Sequence, residues 1–203
     1  MGKTTRPRQH EPLRIAAVSI TDTPHPAAAV ARQPAAPTPA PAAAVPDGHR
    51  HVGVEVDNPN DTPLHVWASR RHYDYDPDTK VLTLWLTEHV PPLPPGIRMI
   101  SDHPRTPAQV EIGARGRAII DVPVPHVIRR RVPGSGGLGM SMSEERIGQI
   151  NRVDLHVQYA DEPMPMPNGM DAAQHRQRLL DHGDVVHESV TPSAASGAAP
   201  RRK

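Results

Sequence analysis

Apolar and polar residues alternate along several short segments between residues 50 and 163. In His51–Asp57 three valines occupy every second position, and in Lys80–Thr87 three leucines do the same. A period of two is typical of antiparallel strands that bury one face. The same pattern predicts strands at Leu64–Ala68, Gln109–Ile112, Arg117–Val124 and Arg152–Tyr159.

The alternation also assigns each side chain to a face of its strand. We expect Leu84 and Val157 in the core, with Thr83 and Gln158 on the opposite, solvent-facing sides of the same strands. Truncation of either core residue should therefore cost far more stability than Thr83→Ala or Gln158→Ala. In the strand Arg117–Val124 the proline at position 123 cannot donate a ladder hydrogen bond, which predicts an edge strand or an early end.

Turn-forming residues separate these segments. Asn58–Asp61, the acidic run Asp74–Asp78 and Gly113–Gly116 each combine Asn, Asp, Pro or Gly in the manner of tight turns. Six or seven short strands within about 110 residues are typical of β-sandwiches. The sequence thus predicts an all-β fold: an immunoglobulin-like or other Greek-key β-sandwich of short antiparallel strands.

The order of these pieces resembles that of bacterial immunoglobulin-like domains. Their first strand commonly leads into an Asn-Pro turn, as Val54–Pro59 does here. A later strand commonly follows a Gly-bearing turn, as Ala118–Val124 follows Arg115-Gly116. The resemblance covers about half of the chain and implies a fold class, which by itself assigns no single function.

The flanks of this region differ from it in composition. Of the 24 residues from 23 to 46, 17 are Pro or Ala, so they have too little apolar side chain to offset the entropy lost on ordering. We expect residues 1–48 to form a disordered tail and spacer, although Leu13–Ile20 could form a short strand or one helical face. Residues 49–163 are the predicted sandwich. Residues 164–203 are expected to form a linker, a possible short helix at 171–181 and a disordered tail.

Charge and composition exclude several function classes. The formal charge is +1 overall, and the predicted sandwich has more acidic than basic residues, which argues against nucleic acid as a partner. The absence of cysteine excludes disulfides, thiolate metal sites and thiol nucleophiles. No apolar run approaches the roughly 20 residues that span a bilayer. We expect a cytoplasmic protein, with secretion left open by a faint signal-like run at Leu13–Ile20.

Two groups of residues are candidate contacts for a protein partner. Trp67 and Trp85 each fall on the face opposite the aliphatic residues of their strand, and exposed tryptophan is common at contact surfaces. A second, minor apolar cluster is the alternative. Arg129, Arg130 and Arg131 precede the Gly-rich segment 134–139, which matches G-x-G-x-x-G without the strand and helix of a nucleotide site. The arginines could instead form an anion-binding loop with the glycine amides.

Histidine is abundant, with 13 residues. His49 and His51 are two positions apart and share a face if they lie in a strand, with Glu55 further along. His182 and His187 bracket Asp184. Imidazole and carboxylate ligands suit Zn²⁺, Cu²⁺ or Ni²⁺, which makes His49 and His51 the candidate metal ligands. The alternative, which we favour, is that the histidines are scattered surface residues.

The sequence contains no G-x-S-x-G serine, H-E-x-x-H helix or Walker lysine. We therefore expect a non-enzymatic protein-binding or assembly module without a cofactor, whose partner is a protein and which is compatible with a homo-oligomer. The alternative is an accessory protein that binds a transition metal through histidines.

Overall fold

The computed structural model describes residues 11–24, 49–92, 106–133 and 140–194. Most of the predicted Ala/Pro spacer, residues 25–46, lies outside these ranges, as does the Gly-rich segment 134–139. The described residues form twelve strands and one helix. In chain order these are β1 (Arg14–Thr21), β2 (His49–Asp57), β3 (Leu64–Trp67), β4 (His72–Asp76), β5 (Val81–Leu86), β6 (Gln109–Ile112), β7 (Arg117–Pro125), β8 (Val127–Pro133), β9 (Met140–Arg146), β10 (Arg152–Ala160), α1 (Ala172–Leu180), β11 (Asp184–Val190) and β12 (Ser193–Ala194).

Sheet A contains four strands in the order β12, β1, β2, β7. β2 is antiparallel to both of its neighbours, so that Val54 lies opposite Val18 of β1 and Ile120 of β7. β12 adds two residues to β1 in parallel orientation. Among the described strands β7 pairs with β2 alone, which confirms the edge position predicted from Pro123, although β7 continues through Pro125.

Sheet B contains six strands, in the order β4, β5, β10, β3, β6, and β11 also pairs with β10. β5 runs parallel to β10, with Leu84 opposite Leu155, while the other pairs are antiparallel. β10 is the organising strand of the sheet because it bonds to β5, β3 and β11. A separate antiparallel hairpin, β8 and β9, follows β7.

The two large sheets bury a shared core. Alternate residues of β2, β5, β7 and β10 are almost completely buried in one apolar cluster, which includes Val52, Val54, Val56, Leu82, Leu84, Leu86, Ile120, Val122, Val153, Leu155 and Val157. The molecule is therefore an all-β sandwich, as the alternating pattern predicted. The number of strands exceeds the predicted six or seven because six strands lie in segments that the sequence assigned to tails, turns or loops, namely β1, β4, β8, β9, β11 and β12.

The N-terminal boundary predicted from sequence is wrong. Residues 14–21 are not a disordered tail but form β1, an inner strand of sheet A, which is the short-strand alternative for Leu13–Ile20. The pairing register shifts between Ile15 and Ala17, which is a β-bulge. This extra residue lets Ile15 and Val18 both reach the core although they are three positions apart, and Leu13 is buried beside them. The bulge breaks the period of two that would have revealed the strand.

The C-terminal boundary predicted at residue 163 is also wrong. Beyond it, α1 confirms the short helix, but β11 and β12 occupy residues predicted to be linker and tail. Asp171 and Gln174 form a reciprocal capping box at the start of α1. Gly183 then turns the chain into β11 with φ +71°, and a Cβ there would lie 2.1 Å from the carbonyl oxygen of Tyr159. Only glycine fits this turn.

Candidate binding surface

A row of four aromatic side chains crosses the outer face of sheet B. The strand register places Trp85 of β5 between His72 of β4 and His156 of β10. His156 in turn lies opposite His187 of β11. The outer face holds these four rings because the alternate residues, such as Leu84 and Leu155, point into the core. We call His72, Trp85, His156 and His187 the histidine–tryptophan row.

The rings of this row are in mutual contact. The Trp85 and His156 rings are stacked, with centroids 5.0 Å apart and planes inclined by 12°. His72 lies on the other side of Trp85, also at 5.0 Å, with its plane tilted by 48°. The edge of His187 meets the His156 ring at 4.5 Å and 89°. Trp85 is half-buried by these neighbours, while His72 and His187 at the two ends are exposed.

Two imidazole nitrogens converge at one end of the row. Nδ1 of His156 and Nδ1 of His187 are 2.5 Å apart, which brings them within hydrogen-bonding distance. A neutral imidazole has one N–H and one lone pair, so one of these nitrogens donates while the other accepts. This contact joins β10 to β11 on the outer face, in addition to their backbone ladder.

Partial desolvation by neighbouring groups lowers the pKa of two histidines in the row, His72 and His156. For His156 desolvation is the largest cause, the electrostatic effect of the neighbouring His187 adds to it, and the Asp154 carboxylate opposes both. Desolvation also lowers the pKa of His72, where Asp74 opposes the change and Arg71 assists it. Both imidazoles are therefore held in the neutral form at pH 7, which suits ring stacking and leaves a nitrogen lone pair available.

A polar row lies beside the aromatic one. Asp154 of β10 accepts a hydrogen bond of 2.7 Å from the Ser189 hydroxyl of β11 and forms an ion pair of 2.9 Å with Arg152. Thr83 of β5 occupies the neighbouring position opposite Asp154. One side of the aromatic row is thus bordered by a carboxylate whose hydrogen bonds fix its orientation.

The end of α1 borders the other side of the row. The side chain of Gln158 is fully buried and donates to the carbonyl oxygens of Leu179, at 2.6 Å, and His182, at 2.7 Å. Its own oxygen accepts from the Thr87 hydroxyl and the Glu88 amide. The prediction that Gln158 faces solvent is therefore wrong, because the helix covers this end of the outer face.

An ion-pair cluster also attaches α1 to the sheet. The Glu88 carboxylate, 5% exposed, receives two hydrogen bonds from Arg71, at 2.8 and 3.1 Å. Arg176 of α1 is 3.0 Å from the same carboxylate. The buried negative charge is thus compensated from two sides, and one of the two cations belongs to the helix.

The two tryptophans predicted as partner contacts lie in different environments. Trp67 is 3% exposed and belongs to the apolar core, which removes it from any accessible contact surface. Strand parity puts Trp67 opposite the aliphatic residues of β3, but that position is buried as well. Trp85 remains half-exposed, and its role in partner binding stays a prediction.

The three predicted arginine contacts lie in β8, one strand of the separate hairpin, rather than in a loop. Arg129 is exposed and forms an ion pair of 2.9 Å with Glu144 of β9. The backbone positions of Arg130 and Arg131 lie opposite Ser143 and Met142. None of the three belongs to sheet B or to the histidine–tryptophan row.

The predicted metal ligands His49 and His51 both lie in β2. His51 is buried, and its Nδ1 donates to the Asp121 carboxylate at 2.9 Å, which leaves only Nε2 with a lone pair. Nδ1 of His49 is buried without a hydrogen-bond partner among the described residues. Of the other pair considered, His182 contacts the carbonyl oxygen of Glu162, whereas His187 joins His156 in the row.

The described ranges contain no group of three or more histidine, cysteine, aspartate or glutamate side chains arranged to hold a metal ion. No helix in the same part of the chain is long and apolar enough to cross a membrane.

The histidine–tryptophan row could not be found by reading the strands one at a time. Parity correctly placed Trp85 and His156 on the polar faces of β5 and β10. Their meeting depends on the parallel pairing of two strands far apart in sequence, for which no local signal exists. Comparison with known proteins adds no relative: no protein-family model, curated protein or solved structure matches this chain.

Proposed function

We propose that this protein is a non-enzymatic binding or assembly module that contacts a protein partner through the outer face of sheet B. The observation that carries the proposal is the half-exposed Trp85 at the centre of four contacting rings. Large aromatic side chains held in fixed rotamers lose little entropy on binding and commonly dominate contact energies. The polar rows and the end of α1 around them would form the rim of such a contact.

The stacking contacts also orient Trp85. With His72 and His156 on its two sides, the indole is held in place by its ring contacts and remains partly accessible. Such a surface favours a protein partner that buries the accessible part of the ring. The outer groups of the row, His72 and His187, are exposed and can contribute polar contacts.

The non-enzymatic part of the proposal is supported by how the polar groups of this face are engaged. Asp154 is bound by Arg152 and Ser189, and Gln158 makes four hydrogen bonds inside the protein. These groups stabilise the fold. We also propose that the sandwich is of the immunoglobulin-like kind. The apolar run Leu13–Ile20 contributes to the core, and we propose a cytoplasmic location for the protein.

The test is partner capture from the native source by the immobilised full chain and by two variants. Trp85→Ala should lose a partner that the wild type retains, because an aromatic anchor commonly contributes about 2 kcal/mol or more. Thr83→Ala, one row away on the same strand and face, is the matched control and should capture it normally. Equal capture by both variants would place the contact elsewhere. Self-association that Trp85→Ala abolishes would identify a second copy as the partner.

A further inference from the structure

We infer that His156 and His187 form a two-imidazole binding site for a divalent transition-metal ion, and that this site binds Cu²⁺ most tightly. The two residues face each other across β10 and β11, and their Nδ1 atoms are already directed at one another at 2.5 Å. This site is distinct from the predicted pair His49 and His51, and it does not depend on the proposed partner contact.

The geometry needs only a small adjustment to hold an ion. Bonds from a metal to imidazole nitrogen are about 2.0 to 2.1 Å long, which places two such ligands about 3 Å apart. The two Nδ1 atoms must therefore separate by roughly half an ångström, a change that side-chain rotation provides, since His187 is exposed. Each ring then keeps its proton on Nε2 and offers the Nδ1 lone pair.

The surroundings favour a cation at this point. Asp154 lies two positions before His156 on the same face of β10, and the negative charge of its carboxylate favours a cation beside it. The described residues supply no third ligand in a ready-made cluster, so water completes the coordination. Imidazole ligands and the usual order of divalent affinities make Cu²⁺ the strongest binder, ahead of Ni²⁺ and Zn²⁺.

The test is a titration of the full chain with Cu²⁺ in a weakly coordinating buffer, followed by tryptophan fluorescence and calorimetry. An open-shell ion on His156 lies next to the stacked Trp85 ring and should quench its emission, and removal of Cu²⁺ by a chelator should reverse the quenching. His187→Ala should weaken this binding by about tenfold or more, as loss of a ligand-shell group does. His72→Ala should not, although His72 touches the same indole from the other side.

The exposed position of His187 ensures that its variant folds, which an unchanged thermal midpoint verifies. Binding by other histidines of the chain would appear in the calorimetry without quenching Trp85, and His49→Ala identifies the share of the predicted β2 pair. Quenching that survives unchanged in both His156→Gln and His187→Ala would overturn the inference. So would quenching that disappears equally in His72→Ala.

Discussion

Gln158 is a polar side chain that α1 buries and that stabilises the contact between this helix and sheet B. It satisfies two carbonyl groups at the end of α1 and accepts from Thr87 and from the Glu88 amide. Gln158→Ala would remove one hydrogen-bond partner from each of these groups, and a buried group that is left unsatisfied costs about 1 to 3 kcal/mol. We expect a loss of at least about 2 kcal/mol in the free energy of unfolding, measured by urea denaturation.

Thr83→Ala serves as the control for Gln158→Ala. Thr83 is also on the outer face of sheet B but is partly exposed, so its truncation should change stability by no more than about 0.5 kcal/mol. Leu84→Ala, which opens a cavity in the core, should cost about 2 to 5 kcal/mol. If Gln158→Ala behaved like Thr83→Ala, the helix contacts described for Gln158 would not form in solution.

The lowered pKa of His156 makes stability depend on pH. In the unfolded chain this imidazole binds a proton near its ordinary pKa of 6.5, whereas the folded protein resists protonation. Below pH 6.5 the unfolded state therefore binds more protons, and the free energy of unfolding falls until the folded pKa is passed. Urea denaturation at pH 7.5 and 5.5 should show this loss, and the loss should be smaller in His156→Gln. Identical losses in both proteins would contradict the assignment.

At the scale of elements, the strands that sequence revealed are those in which apolar residues alternate with polar ones. β2, β5, β6, β7 and β10 lie close to their predicted positions for this reason. β4 was mistaken for a turn because its residues Asp74 and Asp76 are typical of turns, although Tyr73 and Tyr75 alternate with them. Its pairing with β5 overrides that local preference, since strand propensity depends strongly on context.

Helix α1 depends on its contacts with sheet B, because nine residues form too short a helix to persist alone in water. The substitution Arg176→Ala removes the ion pair between α1 and Glu88 and should make local unfolding of the helix more frequent. We expect its amides to exchange with solvent about fivefold faster, which corresponds to about 1 kcal/mol, while β10 keeps its protection.

Arg178→Ala is the matched control for this measurement. Arg178 lies two positions further along α1 and is exposed, so its loss should leave the exchange of the helix amides nearly unchanged. Faster exchange throughout β10 in Arg176→Ala would show that helix and sheet open together as one unit, contrary to the expectation.

At the scale of the whole molecule, the fold needs both ends of the described chain. β1 covers one edge of β2 and supplies Leu13, Ile15 and Val18 to the core. A truncated chain that begins at residue 49 therefore loses these contacts and exposes the ladder of β2 to solvent. We expect its free energy of unfolding to be several kcal/mol lower than that of the full chain, because it lacks several large core side chains at once.

A chain that begins at residue 11 is the control, since it keeps β1 and should match the stability of the full chain in thermal and urea unfolding. Equal stability of the chain beginning at residue 49 would contradict the position of β1 in sheet A. The contribution of β1 escaped sequence reasoning because its bulge and its distance from β2 along the chain hide the pairing, whereas the core of β2 and β10 was visible in their alternating residues.

The parallel pairing of β5 with β10 affects the risk of aggregation while the chain is being synthesised. The segment Val81–Leu86 is uncharged, contains no proline and is rich in leucine, the composition of sequences that assemble into intermolecular sheets. One of its edges is covered early by the neighbouring β4, but the other waits for β10, which leaves the ribosome much later. Until β10 is synthesised, the nascent protein has an unpaired β5 edge that can bind strands of other chains. Chains that stop before Arg152 should therefore accumulate as aggregates. The yield of native protein should rise when the segment between β5 and β10 is synthesised faster than nascent chains associate with each other.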